Sequence, residues 1–229
     1  MKQKSPMGFD PVRYDAMKSL ATPKERFARI YKEGLWLNEY NPQESRSGSG
    51  STKQSTETFR LALEKFLATH TTGGILLDAP CGDYNYMQYV KLPHDWQYIG
   101  ADIVPEMIRD NQKHFRHVRF MVLDITQDVF PNHNVWLCRD CLFHLSFADI
   151  QKTLHQFCQS SGEHALITSH TNVDENKDII TGEFRPIDLT MPPFNLPPPL
   201  QVLADHPAAD TNRYVGLWSK EQIKSSLRC

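Results

Sequence analysis

The sequence predicts an α/β fold in which helices cover both faces of a mostly parallel sheet. Short apolar runs alternate with amphipathic segments from residue 75 onward, which is typical of parallel strands joined by helices. The runs cover residues 75–79, 98–102, 119–124, 135–140 and 165–170. An acidic residue stands at or near the end of the first four runs: Asp78, Asp102, Asp124 and Asp140. Since parallel strands end at the same edge of a sheet, we expect a ligand site at that edge.

The remaining elements follow from local signals. Pro105 fits the first turn of a helix over 105–115, because that position needs no backbone N–H. Ser146 and Asp149 resemble a capping box that opens a helix reaching Phe157. Two further strands are predicted at 201–204 and 214–218.

Two segments outside this pattern divide the chain. Residues 1–55 are expected to form a helical cap and a flap, and residues 56–229 the main domain. The flap, residues 44–51, reads ESRSGSGS and is interpreted either as an ordered anion cradle or as a bare linker. The stretch 171–200 is long, rich in proline and irregular, but also apolar, so we expect a functional substrate arm. The cap and the arm are predicted to cover the ligand cleft as lids.

Composition excludes several classes of protein. The formal net charge of the 229 residues is −2 and no basic stripe stands out, so we expect no nucleic-acid partner. No apolar run approaches the roughly 20 residues of a membrane span, and the polar start of the chain lacks a signal core. These features predict a cytoplasmic protein that does not bind membranes. The five cysteines are irregularly spaced, and Cys138 with Cys141 is interpreted as two thiols around a strand end, with no metal site.

The first strand leads into the segment DAPCGD, residues 78–83. Gly82 lets the backbone approach a ligand closely, but the segment is not the GxGxxG fingerprint of dinucleotide-binding enzymes. Asp102, at the end of the second strand, lies where an acidic side chain accepts hydrogen bonds from ribose hydroxyls. Asp124 with Ile125 suits the edge and face of an adenine ring.

These segments in this order resemble the class I methyltransferases that use S-adenosylmethionine (SAM). The resemblance rests on LDAPCG (77–82), YIGAD (98–102), LDI (123–125) and CRDCLFHL (138–145). It implies a Rossmann-like, seven-stranded sheet with a reversed last strand. It also implies that Asp78 and Gly82 line the methionine part of SAM, Asp102 the ribose and Asp124 the adenine. The full expected cofactor set is Asp78, Ala79, Pro80, Gly82, Asp102, Ile103, Asp124, Ile125 and Arg139.

The flap and the segment RDCLFHLS (139–146) are similar to a bacterial subgroup associated with glycan biosynthesis. One departure concerns the first loop, where most family members have two or three glycines. This chain has Cys81, Gly82, Asp83 and Tyr84, so the loop must be rebuilt locally.

Methyl transfer from a sulfonium needs alignment of the acceptor and exclusion of water, and a hydroxyl or ammonium acceptor also needs a base. The candidate bases are Asp140, His144 and His170, which stand at or just after two adjacent strand ends. His144 is alternatively a buried core residue. Arg139 is expected to hold a substrate anion or to pair with a neighbouring carboxylate.

The acceptor is expected to be a small molecule, a sugar or a phosphorylated metabolite. The signature Asn/Asp-Pro-Pro-Tyr of amino-methylating enzymes is absent at the fourth strand, which disfavours a nucleic-acid base or a protein glutamine. The expected substrate residues are Arg46, Ser47, Arg185 and Asp188, although the last two are alternatively anchors of the arm. Two competing functions are a dinucleotide oxidoreductase and a non-catalytic SAM-binding module or regulatory partner subunit. The sequence contains no indication of the oligomeric state.

Overall fold

The computed structural model describes residues 11–37, 43–69, 73–205 and 212–227. The polar start of the chain, on which the prediction about a signal core depends, lies outside these ranges. Within them, no helix combines the length and the apolar character that crossing a membrane requires.

Seven strands form one sheet: β1 (Gly74–Asp78), β2 (Trp96–Asp102), β3 (Arg119–Val122), β4 (Val135–Cys138), β5 (His164–His170), β6 (Gln201–Ala204) and β7 (Arg213–Ser219). Their order across the sheet is β3-β2-β1-β4-β5-β7-β6. Neighbouring strands pair in parallel, except that β7 runs antiparallel to both β5 and β6. The predicted mostly parallel sheet with a reversed last strand is therefore confirmed.

The helices of the described residues are α1 (Pro11–Lys18), α2 (Pro23–Glu33), α3 (Glu57–Thr69), α4 (Pro105–His114), α5 (Phe147–Gln159) and α6 (Lys220–Ser226). Helix α2 shows why such segments start and stop where they do. Thr22 and Glu25 form a reciprocal capping box at its start, and Gly34 ends it in the left-handed region at φ 64°. Pro105 begins α4, as its position in the sequence predicts.

The apolar core lies on both faces of the sheet. Strand β4 is buried along its whole length, which explains its uninterrupted apolar sequence. Its alternate residues serve different faces: Trp136 packs in the cluster that contains Leu154 of α5, and Leu137 in the cluster that contains Leu63 of α3. The sheet is thus covered on both sides, and its strand ends remain the natural place for a ligand.

The N-terminal helices and the arm pack on the same face of the sheet. Met17 and Ile30 share a buried cluster with Ile187 and Leu189 of the arm, which has no regular secondary structure in residues 171–200. Lys18 also forms an ion pair with Glu183 at 2.8 Å. The apolar residues of the arm therefore order it although it contains many prolines.

The predicted capping box of α5 is only half present. The Ser146 hydroxyl accepts a hydrogen bond from the Asp149 backbone N–H at 3.2 Å, as expected. The reciprocal bond is missing, because Thr181 of the arm comes between the two residues. Its hydroxyl donates to the Asp149 carboxylate at 2.6 Å and accepts from the Ser146 N–H at 2.9 Å. The helix start thereby becomes an attachment point for the arm.

Candidate active site

The first strand ends at a buried carboxyl group with an unused oxygen. Asp78 is fully buried, and Tyr98 on β2 donates a hydrogen bond to its Oδ2 at 2.8 Å. Oδ1 has no hydrogen-bond partner among the described residues. Burial raises the pKa of Asp78 to about 7, against the opposing effect of the Tyr98 hydrogen bond. A buried acceptor without a donor is costly, so this oxygen indicates that a donor group of a ligand belongs beside it.

Asp102 and Asn111 hold the loop that follows Asp78. The Asp102 carboxylate accepts from the Gly82 N–H at 3.1 Å and the Val104 N–H at 2.9 Å, and the Asn111 amide donates to the Gly82 carbonyl at 2.8 Å. Burial is the main reason that the pKa of Asp102 is raised to about 6. Asp102 thus shapes the loop, and a carboxylate with about four lone-pair sites keeps acceptor capacity beyond these bonds.

The two residues that depart from the glycine-rich loop have separate roles. Tyr84 adopts a left-handed conformation at φ 60°, where a glycine is the usual residue. Its ring packs against Tyr98 and Phe120, with centroids 5.3 and 5.2 Å away, so aromatic contacts offset the backbone strain. Asp83 faces the flap, and its carboxylate accepts hydrogen bonds from Ser45 and Ser47.

The flap is ordered on the sheet edge, which favours an ordered segment over a bare linker. A Cβ on Gly82 would collide with the hydroxyl of Ser47, and a Cβ on Gly50 would lie 2.9 Å from the Asp140 carboxylate. The Arg46 side chain points away from this contact and pairs with Asp110 on the surface at 3.1 Å. Ser47 is therefore brought to the site, whereas the guanidinium of Arg46 is not.

Four charged residues neutralise one another at the end of β4. Arg139 contacts Asp205 at 2.7 Å, Arg213 contacts Asp205 at 2.8 Å, and the Asp140 carboxylate lies 3.2 Å from both guanidinium groups. Arg139 also donates to the Gly50 carbonyl at 3.1 Å, and its guanidinium lies over the Phe59 ring at 5.0 Å.

This network bears on two expectations. Arg139 pairs with carboxylates, as one of its two alternatives has it, and its side chain is 1% exposed, while its Nη2 has no hydrogen-bond partner among the described residues. The Asp140 carboxylate lies 3.2 Å from two guanidinium groups, so its Oδ2 is already engaged by cations. Its backbone is in the left-handed region at φ 53°, and its N–H donates to Thr168 on β5 at 2.9 Å.

His144 lies between aromatic rings beside this network. Its ring is 4.6 Å from that of Trp36 and 4.5 Å from that of Phe143, which agrees with the core interpretation. Nδ1 lies 2.8 Å from the Glu183 carbonyl, and since a carbonyl only accepts, Nδ1 carries the proton. Burial lowers the pKa of His144 to about 4. The imidazole is therefore neutral near pH 7, with its lone pair on Nε2.

His170 ends β5 and is pinned to the arm. Its Nδ1 lies 3.2 Å from the backbone N and O of Ile187, and its own N–H donates to the Ile187 carbonyl at 2.8 Å. The ring is 8% exposed and packs edge-on against Phe143 at 5.4 Å. The structure thus brings His170 and His144 to the same aromatic cluster, with His170 acting as an attachment point of the arm.

The Asp124 carboxylate forms its hydrogen bonds within the turn that follows β3. Its carboxylate accepts from the backbone and hydroxyl of Thr126 at 2.9 and 2.6 Å, and from the Gln127 amide at 2.8 Å. These bonds follow the usual behaviour of an Asp after a strand. Ile125 beside it is buried and Ile103 partly so, and their predicted contact with an adenine stays a prediction.

Arg185 and Asp188 have different roles in the arm. The Arg185 guanidinium donates to the carbonyls of Leu142 and Leu145 at 3.0 and 2.7 Å, and Asp188 accepts from Thr190 at 2.7 Å. Arg185 therefore follows the anchoring alternative, whereas the Asp188 carboxylate closes a turn inside the arm. Arg185 ties the arm to the segment that carries His144.

Sequence reasoning missed several residues of the site: Tyr31, Trp36, Tyr98, Asp205 and Arg213. Two of them could have been found by the rule that located the other acids. Asp205 follows β6 directly, and Arg213 begins the reversed strand β7, so both lie at the same edge as Asp140. Among the described residues, no group of three or more His, Cys, Asp or Glu side chains is arranged to hold a metal ion.

Comparison with known proteins identifies the fold. No family model matches the chain, and no curated protein sequence matches it significantly. Among solved structures, the chain is similar to the 1,6-didemethyltoxoflavin-N1-methyltransferase of Burkholderia thailandensis, which contains 1,6-didemethyltoxoflavin and S-adenosylhomocysteine. The two are 16% identical over 94% of this chain and 92% of that chain, with a TM-score of 0.55.

Two further structures are less similar. The magnesium protoporphyrin IX methyltransferase of Synechocystis PCC 6803, with bound SAM, is 12% identical over 70% of this chain and 82% of its own, with a TM-score of 0.49. A TehB-like SAM-dependent methyltransferase of Corynebacterium glutamicum is 15% identical over 69% and 85%, with a TM-score of 0.46. The similarity to the Burkholderia enzyme confirms the expected Rossmann-like methyltransferase fold.

Proposed function

We propose that this chain is a SAM-dependent methyltransferase that acts on a small-molecule acceptor. The observation that carries the proposal is the free Oδ1 of the fully buried Asp78, at the edge of the sheet where this fold binds its ligands. The ammonium group of SAM is a donor that would satisfy that oxygen and compensate the buried charge of the carboxylate. The residues present therefore fit the cofactor.

Other residues of the same edge would complete the cofactor site. Gly82 lacks a side chain where the loop meets a ligand, and Asp102 keeps acceptor capacity for ribose hydroxyls. Ile103 and Ile125 would supply apolar contacts to the adenine, next to the turn that Asp124 closes. Ala79 and Pro80 complete this set as the residues between Asp78 and the glycine. These assignments are part of the proposal.

When bound, SAM supplies a methyl group already activated by the positive sulfur. The chain then has to align the acceptor, exclude water and remove a proton. The flap and the aromatic residues around His144 serve the exclusion of water. Trp36 from the N-terminal segment and Phe184 from the arm lie 4.6 and 5.8 Å from the His144 ring, so both lids meet there.

We infer that His144 accepts the proton. Asp140 is neutralised by two arginines, and His170 is held by the arm backbone. The Nδ1–H of His144 is fixed by the Glu183 carbonyl, which leaves the Nε2 lone pair without a hydrogen bond in the described part of the chain. A base of low pKa suffices, because an acceptor hydroxyl becomes strongly acidic as its new bond to carbon forms.

Within the small-molecule class we propose a hydroxylated acceptor of the sugar type. Arg139 and Arg213 are balanced by Asp140 and Asp205, and the Arg185 guanidinium is occupied by the carbonyls of Leu142 and Leu145, which leaves little attraction for a phosphate. The similarity of the flap and of residues 139–146 to a subgroup associated with glycan biosynthesis supports the same choice. A phosphorylated acceptor is the second member of the proposal, and it has less support, because the Arg46 side chain expected to hold it pairs with Asp110 on the surface.

The test is a calorimetric titration of the purified protein with SAM, S-adenosylhomocysteine and NAD. We expect both adenosyl ligands to bind and NAD not to bind. Transfer of a labelled methyl group to a panel of sugars, sugar phosphates, protein and nucleic acid then identifies the acceptor. Binding of NAD alone would contradict the cofactor, and binding of SAM without transfer to any acceptor would favour a non-catalytic SAM-binding module.

A further inference from the structure

The carboxylate of Asp83 gathers three hydrogen bonds from the flap. It accepts from the Ser45 hydroxyl at 3.0 Å, the Arg46 N–H at 2.6 Å and the Ser47 hydroxyl at 3.2 Å. In return the Asp83 N–H donates to the Ser47 hydroxyl at 3.3 Å. One side chain of the first loop therefore holds the whole beginning of the flap.

The flap lies across two strand ends. At its start, Ser47 sits directly on Gly82 and shares a hydrogen bond of 3.3 Å with the Tyr31 hydroxyl. At its end, the Gly50 carbonyl accepts from Arg139 at 3.1 Å. The flap thus bridges the loop after β1, where the cofactor is proposed to bind, and the end of β4, where the ion network lies.

Polar contacts are the main restraint on this segment. Its serines and glycines contribute little apolar contact area, and ordering glycine-rich backbone costs conformational entropy. Hydrogen bonds to a carboxylate are about twice as strong as those between neutral groups. Removing the charge of Asp83 should therefore release the start of the flap while Arg139 keeps its end in place.

We propose that Asp83 is a positioning residue that clamps the flap, residues 44–51, over the first loop and so controls exchange of the ligand bound there. The identity of that ligand rests on the proposed function, whereas the clamp itself does not. Arg46, near the start of the flap, is a trypsin cleavage site. The rate of cleavage there therefore reports whether the flap is held in place.

The experiment compares the full-length protein with Asp83→Asn and with the control Asp110→Asn. The control removes the partner of the Arg46 side chain, an exposed ion pair that contributes little. Without any ligand, we expect trypsin to cleave after Arg46 about tenfold faster in Asp83→Asn, since a charge-assisted hydrogen bond contributes that factor or more. The control should cleave at the wild-type rate.

The second readout is the dissociation rate of S-adenosylhomocysteine, followed by stopped-flow fluorescence. We expect dissociation about tenfold faster in Asp83→Asn, with an unchanged thermal midpoint as evidence of folding. The double variant Ser45→Ala, Ser47→Ala removes two of the three donors instead of the acceptor, leaves the Arg46 N–H, and should shift both rates in the same direction by a smaller factor.

The outcomes separate the two proposals. Wild-type cleavage rates in Asp83→Asn and in the double serine variant would overturn the clamp, and so would an unchanged or slower dissociation of S-adenosylhomocysteine from Asp83→Asn. If the wild-type protein binds no adenosyl ligand, the proposed function fails, but the proteolysis still decides whether Asp83 clamps the flap.

Discussion

At the carboxyl ends of the parallel strands, the carboxylates in the two halves of the sheet have opposite surroundings. In the half formed by β1 and β2, Asp78 is buried, and among the described residues it has no ion-pair partner and no donor to its Oδ1. In the half formed by β4 and the last two strands, Asp140 and Asp205 are both paired with arginines. The difference teaches that strand-end acids in one fold differ in whether the chain itself supplies a partner for each oxygen.

The largest effect on stability is expected from disrupting the ion network at the end of β4. Asp205→Ala leaves the buried guanidinium of Arg139 without its shortest contact, and removing one partner of a buried ion pair typically costs about 3–5 kcal/mol. Denaturant unfolding measures this loss. The control Asp110→Ala removes an exposed pair and should cost at most about 1 kcal/mol. Equal losses in the two variants would show that burial of the network contributes nothing.

His144→Phe should abolish proton removal while preserving the aromatic cluster. We expect transfer to a hydroxylated acceptor to fall about a hundredfold, with little change in cofactor affinity. His170→Phe, matched in ring size, should alter turnover less, because His170 serves the arm. Full activity of His144→Phe would assign the residue to the core alone.

The same residue gives a pH dependence of stability. Burial lowers the pKa of His144 from 6.5 to about 4, so the folded state favours the neutral imidazole. Its contribution is present above pH 6.5 and is lost as the pH falls toward 4. We expect the unfolding free energy of His144→Phe to fall less than that of the wild type over this window. Parallel curves for the two proteins would contradict the shift.

In the half formed by β1 and β2, Asp78 gives a pH dependence of stability in the opposite direction. Burial raises the pKa of Asp78 from 3.8 to about 7, so stability present below pH 3.8 is lost as the pH rises through 7. Asp78→Asn should remove this loss and weaken binding of S-adenosylhomocysteine about tenfold. Thermal unfolding from pH 4 to 8 and calorimetric titration test the two effects. A variant that binds as tightly as the wild type would show that Asp78 faces no ligand.

The smallest effect concerns the attachment of the arm. Thr181→Val keeps the shape of the side chain but removes the hydroxyl that joins Asp149 to Ser146. The loss should be about 1–3 kcal/mol, because the buried Asp149 carboxylate loses a donor and the half-buried Ser146 N–H loses its acceptor. The matched variant Thr190→Val, in a half-buried turn of the arm, should lose less. Denaturant unfolding measures the loss of stability in each variant. A larger loss in Thr190→Val than in Thr181→Val would show that the turn at Thr190, and not Thr181, attaches the arm.

The acids themselves were predictable from the sequence, but their roles were not. Asp78, Asp102, Asp124 and Asp140 were located at one edge because parallel strands end together. Nothing in their spacing separates the free oxygen of Asp78 from the committed carboxylate of Asp140. That difference depends on Arg213 and Asp205, which reach the edge only because β7 is inserted antiparallel between β5 and β6.

The sequence by itself determined the alternation of strands and helices and the placing of acids at the strand ends, and its resemblance to a known family implied the reversed last strand. The alternation follows from apolar periodicity, which is local in the chain. Only the tertiary structure decided that Asp83 holds the flap and that Arg139 and Arg185 serve as internal anchors. Such roles depend on partners distant in sequence, and a charged side chain takes whichever partner burial places beside it.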